Sequence, residues 1–329
     1  MDRSRGTDAE RAPSGWSERV TELGYAAGWK LVRMVPAGVA RSAFRIGADH
    51  ATRRGGRGPW QLGRNLRRVV GPVPDDELAA LVRAGMRSYA RYWMEAFRLP
   101  NMSAESVRGS FHMTTPELFD QARDGGVFAL PHSANWELAG LWATSQGLPL
   151  TSVAERLKPE SLYRRFVAYR ESLGLEILPT RGGERPPMEV LAQRLEAGHL
   201  VALLADRDLS ARGVPVRFFG HPTRMPAGPA ALALQTGRPL FAVSLWYDAH
   251  GTYARLTGPL TTTLSGPLTD RVADLTQQIA DALAVGIAEH PEDWHMLSRL
   301  WLDDQPRDDR DRAGGSAPPP ALDDATSTG

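Results

Sequence analysis

From about residue 126 onward the sequence alternates short apolar runs with helical patterns, and this alternation constrains the fold more than any other feature. The apolar runs read as strands at 127–130, 151–154, 176–178, 200–205, 216–219, 240–246 and 253–256. Helical patterns lie near 136–146, 159–173, 186–197, 226–236 and 268–289. Such alternation predicts an α/β fold, a single domain with a central, mostly parallel sheet flanked by helices. In sheets of this kind chemistry gathers beyond the carboxyl ends of the strands. Polar residues that directly follow an apolar run are therefore the first candidates for a site.

The part of the chain before residue 100 has a different character. The segment 16–54 reads as two helices broken at Pro36, the first carrying Val20, Leu23, Ala27, Leu31 and Met34, the second Val39, Phe44 and Ile46 with Arg41 and Arg45. Arg53, Arg54, Arg57, Arg64, Arg67 and Arg68 follow, with Trp60 among them. A basic, Trp-containing amphipathic region suits an anionic membrane surface, and it equally suits an apolar face packed on the domain with its arginines in water. A third helix is expected from about Asp75 to Arg98, with Val82, Met86, Tyr89, Trp93 and Phe97 in one stripe and Asp75 and Asp76 at the helix N-terminus. An aromatic stripe at this spacing usually packs into a core.

Residues 1–14 and 303–329 read as disordered tails, which leaves 15–302 as the folded domain, helical and membrane-facing over about 16–100. No apolar stretch is long enough to span a bilayer, and the first 14 residues lack the apolar core of a secretory signal. Peripheral attachment at the cytoplasmic face of the cell membrane is the corresponding expectation. The absence of cysteine excludes a disulfide framework, a thiolate zinc site and a cysteine nucleophile. A net charge of +1 excludes nucleic acid as a partner of the whole surface. All but two of the 39 basic residues are arginine, the lysines being Lys30 and Lys158.

The most informative stretch is Gly126-Val-Phe-Ala-Leu-Pro-His132-Ser-Ala-Asn135-Trp-Glu137. An apolar strand runs into His132, Asn135 stands where a helix N-cap belongs, and Glu137 falls in the first helical turn. A histidine held by a carboxylate is the minimum for a general base, because the carboxylate fixes the tautomer and stabilises the imidazolium. The next cluster is Asp206-Arg207-Asp208, after the apolar run 200–204. Charges that follow a buried strand are costly unless paired, so they mark a site or a structural ion-pair cluster. Glu155 follows the strand at 151–154, Arg170 lies in the helix 159–173, and Arg224 precedes a helix start where a phosphate would be bound. No metal-ligand cluster is expected. Neither Ser133 nor a Gly-x-Ser-x-Gly elbow supplies a nucleophile.

His132–Glu137, the turn Asp206-Arg207-Asp208, Phe218-Phe219-Gly220 and the helix start Arg224…Gly228-Pro229-Ala230 resemble the bacterial lysophospholipid acyltransferase family that includes the lipid A late acyltransferases. The stretches Leu23–Trp29, Glu155–Pro159, Tyr169–Gly174 and His290-Pro-Glu-Asp-Trp294 are similar to its actinobacterial members that acylate phosphatidylinositol mannosides. The resemblance runs from about residue 16 to 302. It implies a groove for acyl-CoA, as co-substrate with no cofactor, and for a mannose ring of the acceptor glycolipid. His132 and Glu137 match the Glu form of the family's His-x4-Asp/Glu motif, and Asp206 stands where relatives carry a second carboxylate. Either acid then orients His132, while Arg170 or backbone N–H groups stabilise the oxyanion. Asn135, Glu155, Arg170, Arg207 and Arg224 are the implied substrate contacts. A different lysolipid or lipid A-like acceptor would use the same chemistry. A non-catalytic lipid-binding protein would explain the N-terminal region without explaining the polar residues at the strand ends.

Overall fold

The computed structural model describes residues 32–156, 160–208, 210 and 212–304. The expected helix over 16–34 and the Leu23–Trp29 stretch lie outside these residues, except for 32–34, and Glu155–Pro159 is described only as far as residue 156. Three helices open the described chain: α1 (Ala37–Arg54), α2 (Arg57–Val70) and α3 (Asp75–Arg98). The region 53–68, read from sequence only as a basic run, forms most of α2. Its Leu62 and Leu66 are buried against Met86 of α3. The acids Asp75, Asp76 and Glu77 occupy the first turn of α3, where the helix dipole favours negative charge.

Two short helices, α4 (Ala104–Ser110) and α5 (Pro116–Asp120), flank the edge strand β1 (Phe111–Met113). The chain then runs β2 (Gly126–Leu130), α6 (Trp136–Ser145), β3 (Leu150–Ala154), α7 (Glu160–Ser172), β4 (Leu175–Pro179), α8 (Pro187–Glu196) and β5 (Leu200–Leu204). A hairpin follows, β6 (Val214–Phe218) and β7 (His221–Met225), then α9 (Gly228–Thr236), β8 (Leu240–Asp248), β9 (Gly251–Thr257) and α10 (Leu268–Glu289). Seven strands form one sheet in the order β1-β9-β8-β2-β5-β3-β4, with every pairing parallel except β8–β9. The α/β fold with a mostly parallel sheet flanked by helices is thus as the sequence pattern predicts.

Two strands escaped the sequence reading. β1 has three residues, too few for a pattern. β7 replaces the expected run-up to a helix: Phe219 and Gly220 both have positive φ (50° and 76°), the signature of a tight two-residue hairpin turn, and register Phe218↔His221 folds the chain back.

The core divides into two layers. Leu275, Ile279, Leu283 and Ile287 of α10 join Leu191, Leu195, Val127 and Val201 on one face, together with Trp294 and Trp301. Phe128, Leu130, Leu138, Ile177 and Val243 form the other. α10 approaches β8 so closely that a side chain at Gly286 would collide with Ser244. The described chain ends in a 3-10 turn, Leu302–Asp304, and the buried Asp304 carboxylate takes hydrogen bonds from Arg64 and Arg68 of α2. Residues 303 and 304 therefore belong to the fold and not to the expected tail.

Candidate active site

β2 lies inside the sheet between β8 and β5, with its carboxyl end facing the helical start of α6. The β2–β5 register pairs Leu130 with Leu204, and the N–H of Ala205 still donates to the Leu130 carbonyl at 2.8 Å. Continuing that register two residues brings His132 and Asp206 side by side. The Nδ1 of His132 is 2.6 Å from Asp206 Oδ1, and the backbone N–H of His132 donates to Oδ2 at 2.9 Å. The indole N–H of Trp294 donates to the same Oδ2 at 2.9 Å. Asp206 is fully buried, whereas the His132 side chain is 28% exposed. Burial by itself would raise the Asp206 pKa. The His132 charge and the hydrogen bonds from His132 and Trp294 outweigh it and hold the carboxyl below its ordinary range.

An ionised Asp206 only accepts, so Nδ1 of His132 is the donor in this pair. The turn that presents it is strained, since Ala134 is fully buried with φ 46°. An isolated antiparallel bridge between Ser133 and Trp294 holds it in place.

Glu137 does something else. Its buried carboxylate is gripped by Arg170, through Nε at 3.0 and 3.2 Å and Nη2 at 2.7 Å. Burial would lower the Arg170 pKa, but the Glu137 charge and hydrogen bonds reverse that and raise it. The two alternatives of the sequence reading are thereby separated: Asp206 orients His132, and Glu137 neutralises Arg170 between α6 and α7. Arg170 correspondingly spends two of its three nitrogens on Glu137.

Asn135 caps α6 as expected, accepting from the Leu138 N–H at 3.0 Å, and its amide donates to Glu95 of α3 at 3.0 Å. It is fully buried, with both ends of its carboxamide engaged. Glu155 is exposed just beyond β3. Arg207 donates to the Ser298 hydroxyl at 2.8 Å. Arg224 lies within β7 and not at a helix start, and its Nη1 donates to the Gly213 carbonyl at 2.9 Å. The structure therefore unites His132 and Asp206, sets Glu137 with Arg170 one helical turn away, and uses Arg207 and Arg224 to hold neighbouring chain.

Under α6 lies a small apolar cavity of about 60 Å³, lined by Phe111, Phe119, Phe128, Trp136, Trp142 and Val243 among others. Trp136 joins the two features, since its ring lies 5.5 Å from that of His132 and forms part of the cavity wall. Trp142 lines the same space. Trp294 figured in the sequence only within the stretch His290-Pro-Glu-Asp-Trp294 and not as a site residue, and Ser88 and His295 not at all. His295 is buried, its Nε2 2.9 Å from Ser88 Oγ, and burial pushes its pKa down to about 3. Their role was not visible locally, because α3 and residues 293–295 meet the site only through tertiary packing. Among the described residues no group of His, Asp and Glu side chains is arranged to hold a metal ion.

An α/β sheet with a carboxylate-held histidine beside Trp136, which also lines an apolar cavity, is an arrangement compatible with acyl transfer. Residues 15–303 match the family described as bacterial lipid A biosynthesis acyltransferase, and the chain belongs to that family. A phosphatidylinositol mannoside acyltransferase of Mycolicibacterium smegmatis is 51% identical over 299 residues, covering 90% of this chain and 96% of the relative. One of the same name from Mycobacterium tuberculosis is 47% identical over 296 residues, covering 88% and 92%.

Proposed function

We propose that the enzyme transfers a fatty acyl group from acyl-CoA to a mannose hydroxyl of a phosphatidylinositol mannoside, with His132 as general base. The observation that carries this reading is the His132–Asp206 pair standing at Trp136, on the edge of an apolar cavity. The apolar lining past Trp136 receives the acyl chain, which places the thioester carbonyl beside His132. Nε2 removes the proton of the attacking hydroxyl, and Asp206 stabilises the imidazolium that forms. The N–H groups of Trp136 and Glu137, unlike the Leu138 N–H that Asn135 caps, meet the developing oxyanion, aided by the helix dipole. The tetrahedral intermediate collapses with loss of the CoA thiolate, which recovers the proton from His132. A thioester is already activated, so His132 needs no covalent intermediate. The relatives' names support the mannosylated acceptor.

The acceptor is an anionic lipid, and α1 and α2 suit its surface. Met34, Val39, Ile46 and Trp60 are between 57% and 71% exposed, and Arg41, Arg45, Arg53, Arg54 and Arg57 stand among them. Phe44 instead packs edge-on against Phe97 of α3. The amphipathic segment thus divides its apolar residues between the domain and the outside. No helix among the described residues is long and apolar enough to cross a membrane. Attachment in this reading is peripheral, at the cytoplasmic face, through apolar insertion and arginine–lipid attraction.

The test is acyl transfer from palmitoyl-CoA to a panel of purified acceptors, comparing wild type with His132→Ala. Transfer to mannosylated phosphatidylinositol by wild type, falling to background in the variant, is the expected result. Transfer only to another lysolipid or lipid A-like acceptor keeps the chemistry and discards the acceptor. No CoA release with any acceptor overturns the catalytic reading in favour of lipid binding alone.

A further inference from the structure

The stretch His290-Pro-Glu-Asp-Trp-His295 does no chemistry in the mechanism above, yet it surrounds the catalytic pair. We propose that Ser88 is a positioning residue for the transfer reaction: its hydroxyl clips residues 293–295 to α3, and so keeps the Trp294 indole on the carboxylate that holds His132. The proposal rests on the acyl-transfer reading for its kinetic consequence, but not for its structural one.

Ser88 is buried in the middle of α3. Its Oγ lies 2.6 Å from Asp293 Oδ1 and 2.9 Å from His295 Nε2. A single hydroxyl therefore ties down both ends of a tripeptide. The direction of the bonds follows from the donor inventory: an ionised Asp293 only accepts, so Ser88 donates to it, and the free lone pair of Ser88 takes the Nε2–H of His295. The other Asp293 oxygen accepts the backbone N–H of Tyr247 at 2.7 Å. Side chains alternate along an extended segment, so anchoring 293 and 295 toward α3 sends Trp294 the opposite way, into the core, where its N–H reaches Asp206.

The backbone of the tripeptide completes the hold. The Ala134 N–H donates to the Asp293 carbonyl at 2.9 Å, and the His295 N–H donates to the His132 carbonyl at 2.7 Å. These bonds bracket the strained residue Ala134, which a loose segment would not keep at φ 46°. Burial keeps the His295 ring neutral. A neutral ring beside His132 adds no positive charge to oppose the imidazolium formed in the reaction.

The experiment is a double-mutant cycle with Ser88→Ala and Trp294→Phe, which removes the indole N–H contact to Asp206 together with part of the buried ring. Ser88→Cys serves as a near-isosteric variant should Ser88→Ala fold poorly. Loosening the geometry of a general base costs roughly ten- to hundredfold in rate, so each single variant is expected to lose that much kcat with KM for acyl-CoA within about twofold. If Ser88 acts through Trp294, the double variant is no slower than the slower single, because both remove one interaction. In parallel, proton NMR follows the His132 Nδ1–H shared with Asp206, a strongly hydrogen-bonded proton expected far downfield. It should broaden or move in Ser88→Ala and be partly retained in Ser88→Cys. Multiplicative losses in the double variant, or a Ser88→Ala protein that is less stable but keeps wild-type kcat and an unmoved resonance, overturn the proposal. A resonance that responds as expected in a protein with no transfer activity supports the clip and removes the acyl-transfer reading instead.

Discussion

Two buried carboxylates stand near the carboxyl end of β2, and the chain uses them oppositely. Asp206 accepts three hydrogen bonds from neutral or titrating donors and faces a half-exposed histidine, so its charge remains available to the imidazole. Glu137 meets a permanent cation, and its charge is spent within the protein. Distance along the chain would favour Glu137, five residues from His132, over Asp206, 74 residues away. The sheet reverses that order. On a helix, Glu137 points along α6 toward α7, whereas parallel register delivers Asp206 directly to the imidazole. Proximity in sequence is a poor guide to which acid serves a base when a strand neighbour competes.

The largest expected effect breaks this contrast at the base itself. Asp206→Asn should lower kcat by about 10²–10⁴, the scale of general acid–base help, because an amide no longer holds the correct tautomer. Glu137→Gln should lose less than about tenfold, because Arg170 still finds an acceptor. Steady-state transfer rates on folded variants decide the matter. An inactive Glu137→Gln beside an active Asp206→Asn would invert the assignment.

The second effect concerns stability. Arg170→Met leaves a buried carboxylate without its cation and should cost about 3–5 kcal/mol, read from the urea midpoint. The double variant Glu137→Leu with Arg170→Met should recover most of that loss. A double variant as unstable as the single would mean that Arg170 contributes through packing and not through charge.

A smaller effect lies in the pH dependence of stability. Burial first, and the His132 charge second, take His295 from an ordinary value of 6.5 to about 3, so between those values the unfolded chain binds a proton that the folded one does not. Its contribution is therefore lost as pH falls from about 6.5 toward 3. Asp293 has the opposite sign, because burial raises its pKa from 3.8 to about 6. The stability it adds is complete below 3.8 and lost as pH rises through 6. Between about pH 4 and 6 the two contributions oppose one another and nearly cancel, so wild-type stability should vary little there. His295→Asn leaves the Asp293 contribution alone, so stability should then rise as pH falls from 6 to 4 in urea titrations. A variant as flat as wild type would exclude His295 as the opposing group.

The smallest expected effect is at Asn135. If it caps α6 and holds Glu95 without touching substrate, Asn135→Ala should cost about 0.5–2 kcal/mol, with kcat and KM within a few-fold. A large rise in KM for the acceptor would restore it as a substrate contact.

The alternation of apolar runs after residue 126, the N-cap Asn135 and the acidic first turn of α3 were legible because they are local: periodicity and capping act within one element. His132 and Asp206 were legible as candidates because each follows an apolar strand. Arg224 was not placed correctly ahead of a helix because Phe219 and Gly220 turn the chain into a hairpin, and a two-residue turn with phenylalanine in it has a weak sequence signal. Trp294, Ser88 and His295 were not legible as site residues at all.

The sequence by itself determined the α/β class, the strand that ends at His132 and the presence of acids near it, since hydrophobic pattern and local capping depend on neighbours in the chain. Which acid meets the histidine, where the apolar cavity lies and what holds the turn at His132 came from tertiary packing. Those depend on sheet register and on contacts between residues as far apart as Ser88 and His295, and side-chain pairing over such separations is written in no local pattern.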